Sequence, residues 1–291
     1  MTLDRAFAEL RPAMFALAYR ITGNRADAEE IVQDAFVRLH NAAPNDAVRS
    51  LKAYLTTITA RLSLNRLRDQ RARREVYVGE WLPEPLLTEN EPGVRAEDVS
   101  FALLAVLERL SPLERVVFVL RNAFDLTFEE IAPVVRRDGV SCRKIFSRAR
   151  ARVLEGRPRF QVDRERHRAL LRSFTEAARG GDTARLVSLL VDDVVLHTDG
   201  GGKALATKKP VVGAAAVAQF IIAVTRTRLD LSVHETELNG MPGLVLKAVG
   251  RPVVAILIDT DGERVQSVFA VANPDKLKAI APAELEHVAM K

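Results

Sequence analysis

The apolar pattern of the chain changes period near Pro158, and that change limits the fold more than any other feature. Before it, apolar residues recur every three or four positions, the repeat of one face of an α-helix. Phe7, Leu10, Met14, Leu17 and Ile21 form one such face, Ala28, Ile31, Ala35 and Leu39 a second, and Leu51, Leu55, Ile58 and Leu62 a third. Gly23 supplies a stop, Asn24 a cap followed by Asp27, Glu29 and Glu30 where the helix dipole favours acids, and Pro44 the next turn. From Tyr77 to Glu97 the pattern breaks into Trp81, Pro83, Pro85, Pro92 and several acids, which reads as a linker. Helical spacing resumes at Phe101. Ser111-Pro112 opens one helix, Thr127 and Glu130 form a capping box for a short one, and Asp138 caps a longer one reaching about Leu154.

Beyond Pro158 the pattern predicts helices over 167–179, 183–190 and 214–225, with a strand over 194–198 between the last two. Strands over 229–238, 244–249, 253–259 and 265–272 follow. Asn239-Gly240 and Asp261-Gly262 are tight-hairpin signals, because these residues tolerate positive φ. Helices followed by a run of adjacent strands imply helices on one face of a curved antiparallel sheet. The expected organisation is multidomain: a helical bundle at 1–75, a linker at 76–97, a helix-turn-helix domain at 98–157 and an α+β domain at 158–291.

Charge narrows the function. The net charge of +5 is modest, but Arg61, Arg66, Arg68, Arg71, Arg73 and Arg74 stand against the single acid Asp69, and nine basic residues between Arg136 and Arg159 stand against Asp138 and Glu155. Two basic stretches in a balanced chain point to two footprints on a polyanion. No run approaches the roughly 18 apolar residues of a membrane span, and the acids Asp4 and Glu9 argue against a signal peptide, so a cytoplasmic protein without a membrane partner is expected. The single cysteine, Cys142, offers neither a disulfide nor a thiolate cluster, so no metal and no cofactor are expected.

Within the helix pair, Cys142, Phe146, Ala149 and Val153 share one face of the second helix, which turns Arg143, Lys144, Ser147 and Arg148 outward. A short helix, a tight turn and a helix with a basic outer face form a helix-turn-helix, whose second helix fits the DNA major groove.

The stretch from Phe118 to Leu154, with Thr127-Phe128-Glu129-Glu130-Ile131-Ala132 and Phe146-Ser147-Arg148-Ala149-Arg150, resembles region four of extracytoplasmic-function (ECF) sigma factors. Leu17-Ala18-Tyr19-Arg20, Gly23, the run Asp27 to Phe36, and Arg66-Leu67-Arg68 resemble region two. The resemblance implies two partners, RNA polymerase core and promoter DNA. It assigns core binding to Ile31, Val32, Gln33 and Asp34, the minus-ten element to Arg61, Asn65, Arg66 and Arg68, and the minus-thirty-five element to Arg143, Lys144, Ser147 and Arg148. The chain departs from the family pattern at Arg61, where many members have Asn, at Tyr54, where they have Trp, and at Arg136, where they have Gly at the bend. Pro133 is unusual inside a helix.

The last 130 or so residues resemble a SnoaL-like cone, a combination found in one group of these sigma factors. Trp81-Leu82-Pro83-Glu84-Pro85, Asp199-Gly200-Gly201-Gly202-Lys203 and Asn273-Pro274-Asp275-Lys276-Leu277 carry the likeness, and the residues expected to regulate are Trp81, Pro83, Asp199, Gly200, Gly201, Gly202, Lys203, Asn273, Pro274 and Asp275. Lys203 is expected to meet Glu80 or Glu84. Three readings of this domain stay open: regulation in cis of a non-enzymatic sigma factor, a sensor with a small ligand in its pocket, or a cyclase- or isomerase-like enzyme using His197, Asp199 and His234. A repressor using the helix-turn-helix alone would leave the first 75 residues without a role.

Overall fold

The computed structural model describes residues 3–41, 50–75, 77–88, 91, 99–156, 162–227 and 230–280. The turn expected at Pro44, the linker proline Pro92 and the boundary at Pro158 lie outside them. The chain forms two compact units, one of residues 1–76 and 89–157, the other of residues 77–88 and 158–291.

The first unit is entirely helical among the described residues, with α1 (Leu3–Thr22), α2 (Arg25–Asn41), α3 (Leu51–Glu75), α4 (Phe101–Leu107), α5 (Pro112–Ala123), α6 (Phe128–Val135) and α7 (Gly139–Gly156). Gly23 ends α1 at φ 69°, and the Asn24 side chain accepts from the Asp27 amide at 2.8 Å to start α2. Met14, Phe15, Leu17, Ala18, Tyr19 and Ile21 of α1 are fully buried with Ala28 and Ala35 of α2 and Leu55 and Ala60 of α3. The expected capping box of Thr127 with Glu130 is formed, and at Ser111 the structure adds a second box with Glu114, so each helix start satisfies its own orphan amides. Arg115, almost wholly buried, donates to the Arg20 carbonyl at 3.0 Å and pairs with Glu108 at 2.8 Å, joining α5 to the end of α1.

The second unit contains α8 (Arg164–Gly180), α9 (Thr183–Ser188), β1 (Leu190–Asp199), β2 (Val211–Val212), α10 (Ala214–Arg226), β3 (Ser232–Leu238), β4 (Met241–Ala248), β5 (Arg251–Thr260), β6 (Val265–Val271) and α11 (Pro274–Leu277). The sheet runs β2-β1-β6-β5-β4-β3. It corrects the antiparallel expectation at one place: β1 and β6 pair in parallel, Leu196 opposite Val268 and His197 opposite Phe269. The chain leaves β1 through β2 and α10 to the far edge, and the β3–β6 meander then brings it back alongside β1 in the same direction. The two-residue edge strand β2 falls where the sequence shows only a loop, because two residues carry no period to detect.

Alternation along the strands gives the sheet two apolar faces. Leu196, Leu244, Ile258 and Val268 pack with Leu171, Phe174, Val217 and Ile222 of the helices. His197, Asp199, Phe269 and Val271, at the intervening positions, point to the other face. The β3–β4 turn places Asn239 and Gly240 at φ 51° and 77°, as a tight primed turn requires. At Asp261-Gly262 only Gly262 has positive φ; the chain there makes a wider loop, in which the Asp261 carboxylate accepts from the amides of Glu263 and Arg264.

Candidate nucleic-acid interface and linker clasp

In the helix pair, α6 ends at Arg136 with φ 56° and ψ 53°, and the Arg137 amide closes the turn on the Ala132 carbonyl at 3.0 Å. A side chain thus occupies a left-handed position that favours glycine, at a cost of order 1 kcal/mol, and the bend forms without the family's glycine. Asp138 then caps α7 through the Ser141 amide at 2.8 Å. Cys142, Ile145, Ala149 and Val153 are buried, and Phe146 packs on Phe118 and Phe128 with ring centroids 5.9 and 5.7 Å apart. Burial pushes the Cys142 thiol above its ordinary pKa, as suits an inert core residue. Arg143, Lys144, Ser147 and Arg148 are all exposed, and the Arg143 guanidinium rests 5.4 Å from the Phe128 ring centroid. Arg152, part of the same basic stretch, is instead tied to Glu114 at 2.7 Å.

The residues assigned to the other two surfaces divide. On α2, Gln33 and Asp34 are exposed, whereas Ile31 and Val32 are buried. Ile31 and Val32 both face the bundle core, because α2 packs against both α1 and α3, so of the four residues assigned to core binding Gln33 and Asp34 present their side chains at the surface. On α3, Asn65 and Arg68 are exposed. Arg66 is held by Asp27 at 2.6 Å and Glu30 at 2.7 Å. Burial lifts the Asp27 carboxyl above its ordinary pKa, opposed by Arg66 and a hydrogen bond from Gln70. Arg61 donates to the Pro133 carbonyl at 2.8 Å, satisfying one of the carbonyls left open in the last turn of α6.

The three motifs expected to regulate converge on Asp199. Its carboxylate is wholly buried and accepts four hydrogen bonds: the Tyr77 hydroxyl at 2.5 Å, the Leu82 amide at 2.9 Å, the Gly201 amide at 3.1 Å and the Lys276 ammonium at 2.7 Å. Two of these donors come from the linker, one from the glycine loop and one from the Asn273–Leu277 segment. Lys276 also donates to the Leu82 carbonyl and lies 3.5 Å from the Trp81 ring centroid, a cation–π contact out of water. Asn273 donates to the Tyr77 hydroxyl at 2.8 Å. Burial, then the Asp199 carboxylate beside it, push the Tyr77 phenol well above its ordinary pKa, so it remains the donor. At Gly201 a Cβ would stand 2.4 Å from the Asn273 side chain, and at Gly200 one would stand 2.3 Å from the Ala204 carbonyl, so the loop can lie this close only as glycine. Pro83 is buried within the same segment, and Pro274 occupies the first turn of α11, where its missing amide costs nothing.

Farther along, Leu86 exchanges two hydrogen bonds with Asn239, its amide to the side-chain oxygen at 2.9 Å and its carbonyl from the Asn239 amide at 2.8 Å. Lys203 does not meet Glu80 or Glu84. It pairs with Asp275 at 2.5 Å, while Glu80 takes the His197 ring at 2.8 Å. The reason is that β1 delivers His197, two residues before Asp199, onto the face the linker covers, whereas Lys203 lies beyond the glycine turn. No local pattern marks Tyr77; Lys276 lies inside the Asn273–Leu277 motif, and the sequence marks Asn239 as a turn residue only.

The face toward the helices lines a partly open cavity of about 160 Å³. Leu196 and Thr198 of β1 line it, which places His197 and Asp199 on the opposite side of the sheet. His197 is stacked on Phe269 with centroids 5.2 Å apart, and His234 is exposed beside Ser232 at 3.0 Å. None of the three groups an enzyme would use lines the cavity. Among the described residues no group of His, Cys, Asp and Glu is arranged to hold a metal ion, and no helix is long and apolar enough to cross a membrane.

Residues 6–73 match the Sigma-70 region 2 family and residues 100–153 match Sigma-70, region 4. The chain is 35% identical over 288 residues to the ECF RNA polymerase sigma factor SigJ of Mycobacterium tuberculosis, covering 93% of this chain and 91% of that protein. It belongs to the ECF sigma factors. A probable ECF sigma factor, SigI of the same species, is 34% identical over 195 residues, 65% of this chain and 67% of that one. The crystal structure of the M. tuberculosis SigJ matches with a TM-score of 0.76 at 32% identity, over 95% of this chain and 98% of that chain. Two helical sigma regions followed by a mixed α/β cone of SnoaL-like type are therefore the architecture of this sigma factor.

Proposed function

We propose that this sigma factor binds RNA polymerase core and directs promoter recognition and transcription initiation in the cytoplasm, and that its terminal domain sets that activity in cis without chemistry of its own. Residues 1–75 serve as region two, 76–97 as the linker, 98–157 as region four and 158–291 as the regulatory domain. Gln33 and Asp34 offer core polymerase an exposed polar and acidic contact, while Ile31 and Val32 support the helix that presents them. Asn65 and Arg68, joined by Arg61 and Arg66 once their present contacts open, meet the minus-ten strand, where a basic groove and an amide suit an unstacked base. Arg143, Lys144, Ser147 and Arg148 meet the minus-thirty-five element, their common exposure on α7 being what a groove-reading helix needs.

The observation that carries the regulatory reading is the buried Asp199 carboxylate, which takes two of its four hydrogen bonds from the linker between the two sigma regions. An extended residue spans at most about 3.6 Å, so holding Tyr77–Thr88 on the cone withdraws on the order of 40 Å of contour from the tether that lets the two regions spread along a promoter. Tethering also raises the effective concentration of the cone at the linker into the millimolar range, so no tight intrinsic contact is needed.

Transcription from one promoter with core polymerase tests both parts. A chain truncated after Arg159 should differ strongly from full length, one lacking residues beyond Ala272 should differ again, and Lys203→Ala should differ little because its ion pair with Asp275 is half exposed. Asp34→Arg should melt normally and lose core affinity. Equal transcription by both truncated chains and the full-length protein would make the cone a passenger; equal core affinity of Asp34→Arg would move the contact off α2.

A further inference from the structure

We infer that the cavity of the cone is a binding site for a small, hydrocarbon-rich carboxylic acid whose occupancy is transmitted to the linker clasp; the transmission rests on the regulatory reading above, the binding does not. The walls are Phe174, Phe220, Leu244, Ile256, Val268 and like residues. The threonine hydroxyls among them are already spent: Thr175 donates to the Leu171 carbonyl at 2.7 Å, Thr225 to the Ile221 carbonyl at 2.8 Å, and Thr198 meets the Thr207 hydroxyl at 2.9 Å. Such a wall keeps few polar groups free for a ligand, its threonine protons being already donated, so a hydrocarbon body is favoured over a sugar, nucleotide or peptide that needs many partners. A closed apolar space of roughly 150 Å³ accommodates a molecule the size of benzene, and this cavity of about 160 Å³ is partly open, so a ring or a short chain fits.

The exception to the apolar lining is Arg179, in the last turn of α8. Its side chain is exposed and has no ion-pair partner among the described residues. A guanidinium beside an otherwise hydrocarbon pocket fits one carboxylate head with an apolar tail.

Coupling follows from how the lining is built. Leu196 and Thr198 line the cavity while the alternate residues of the same strand, His197 and Asp199, hold Glu80, Tyr77 and Leu82 of the linker on the other side. Leu205, a cavity-lining residue left 57% exposed, sits in the loop that begins with Gly200–Gly202. That loop reaches the clasp as well: the Gly201 amide donates to Asp199, and a Cβ at Gly202 would stand 3.3 Å from Val78 of the linker. An occupant that displaces Leu205 or β1 therefore moves groups that grip the linker, because close-packed layers shift together rather than absorb the change.

The chain contains one tryptophan, Trp81, which lies in the clasp and not in the cavity, so its fluorescence reports transmission rather than contact. Calorimetric titration of the full-length protein with octanoate and with octanol should show one site, octanoate binding at least fivefold tighter than octanol. Arg179→Gln should erase that preference while leaving octanol affinity unchanged. Ala270→Leu, which fills the space from β6, should weaken both ligands at least tenfold. Octanoate should change Trp81 fluorescence of the parent saturably, at the concentration that fills the site, and change transcription by core polymerase at least twofold. Absence of binding, or binding insensitive to both substitutions, overturns the site. Binding with unchanged Trp81 fluorescence and unchanged transcription overturns the transmission. An Asp199→Asn chain that still binds octanoate but no longer changes in transcription would separate failure of the clasp from failure of the site, and supports both.

Discussion

Replacing Asp199 by Asn keeps the side-chain shape and removes the charge on which the clasp converges. Tyr77 and Gly201 donate to one carboxylate oxygen, Leu82 and Lys276 to the other. An amide nitrogen at either position faces two donors, so each orientation of the Asn leaves two hydrogen bonds unmade. A buried donor without an acceptor costs about 1–3 kcal/mol, and removing one partner of a buried ion pair costs about 3–5 kcal/mol. Lys276 is 4% exposed and retains the Leu82 carbonyl and the Trp81 ring, which favours the lower part of that range. A loss of about 3–4 kcal/mol corresponds to two to three orders of magnitude in the opening equilibrium. Amide exchange is the assay, since the Leu82 amide is bonded directly to Asp199 and the Leu86 amide to Asn239. Exchange at Leu82 should accelerate at least a hundredfold, up to the limit of free exchange, while the β4–β5 ladder, paired from Gly243 to Ala248, keeps its protection. Leu82 exchange within about threefold of the parent would refute the reasoning, because it would mean that the linker is held by burial of Leu82 and Leu86 and not by the carboxylate.

Three further outcomes follow. Arg143→Ala should lower the salt dependence of promoter binding by holoenzyme by about one unit on a log–log plot, and an unchanged slope and base preference would remove Arg143 from the interface. Val249 is a β-branched residue at φ 48° with its side chain fully exposed, so Val249→Asn should stabilise the cone by about 0.5–1 kcal/mol in urea unfolding, as the β4–β5 turn prefers. Buried His167 and half-buried Asp259 oppose each other in acid. Burial pushes His167 down to about 4, so the unfolded chain takes up its proton first and stability rises with pH between about 4 and 6.5; burial pushes Asp259 up to about 6, so the folded chain holds its proton longer and stability falls between about 3.8 and 6. Each contributes on the order of 3 kcal/mol, and the parent should be nearly flat from pH 4 to 6. His167→Gln should expose the falling slope and Asp259→Asn the rising one, and parallel profiles of the three proteins would exclude both groups.

The helical half was legible because its signals are local. Apolar spacing, Gly23, the caps at Asn24 and Ser111 and the capping box at Thr127 act within a few residues of one another, and each forms as its spacing requires. The outward set Arg143, Lys144, Ser147 and Arg148 follows from the same 3.6-residue repeat once Cys142 and Ala149 are known to face inward. Periodicity could not tell Val32 from Gln33 as a surface residue, because α2 is packed on two sides and its buried stripe is wider than a single-face pattern implies.

Local pattern therefore carries the longer elements, their caps, the basic faces and the three motifs, but not the two-residue β2. Tertiary structure alone decided the parallel pairing of β1 with β6, the pairing of Lys203 with Asp275 rather than a linker acid, and the meeting of Tyr77, Leu82 and Lys276 at Asp199. The side-chain contacts among these join residues 72 to 122 positions apart, and the two linker donors stand 117 and 122 residues from their acceptor. No short-range spacing encodes such a contact. It is fixed by the energy of burying one carboxylate, which is favourable only where the folded chain gathers enough donors around it.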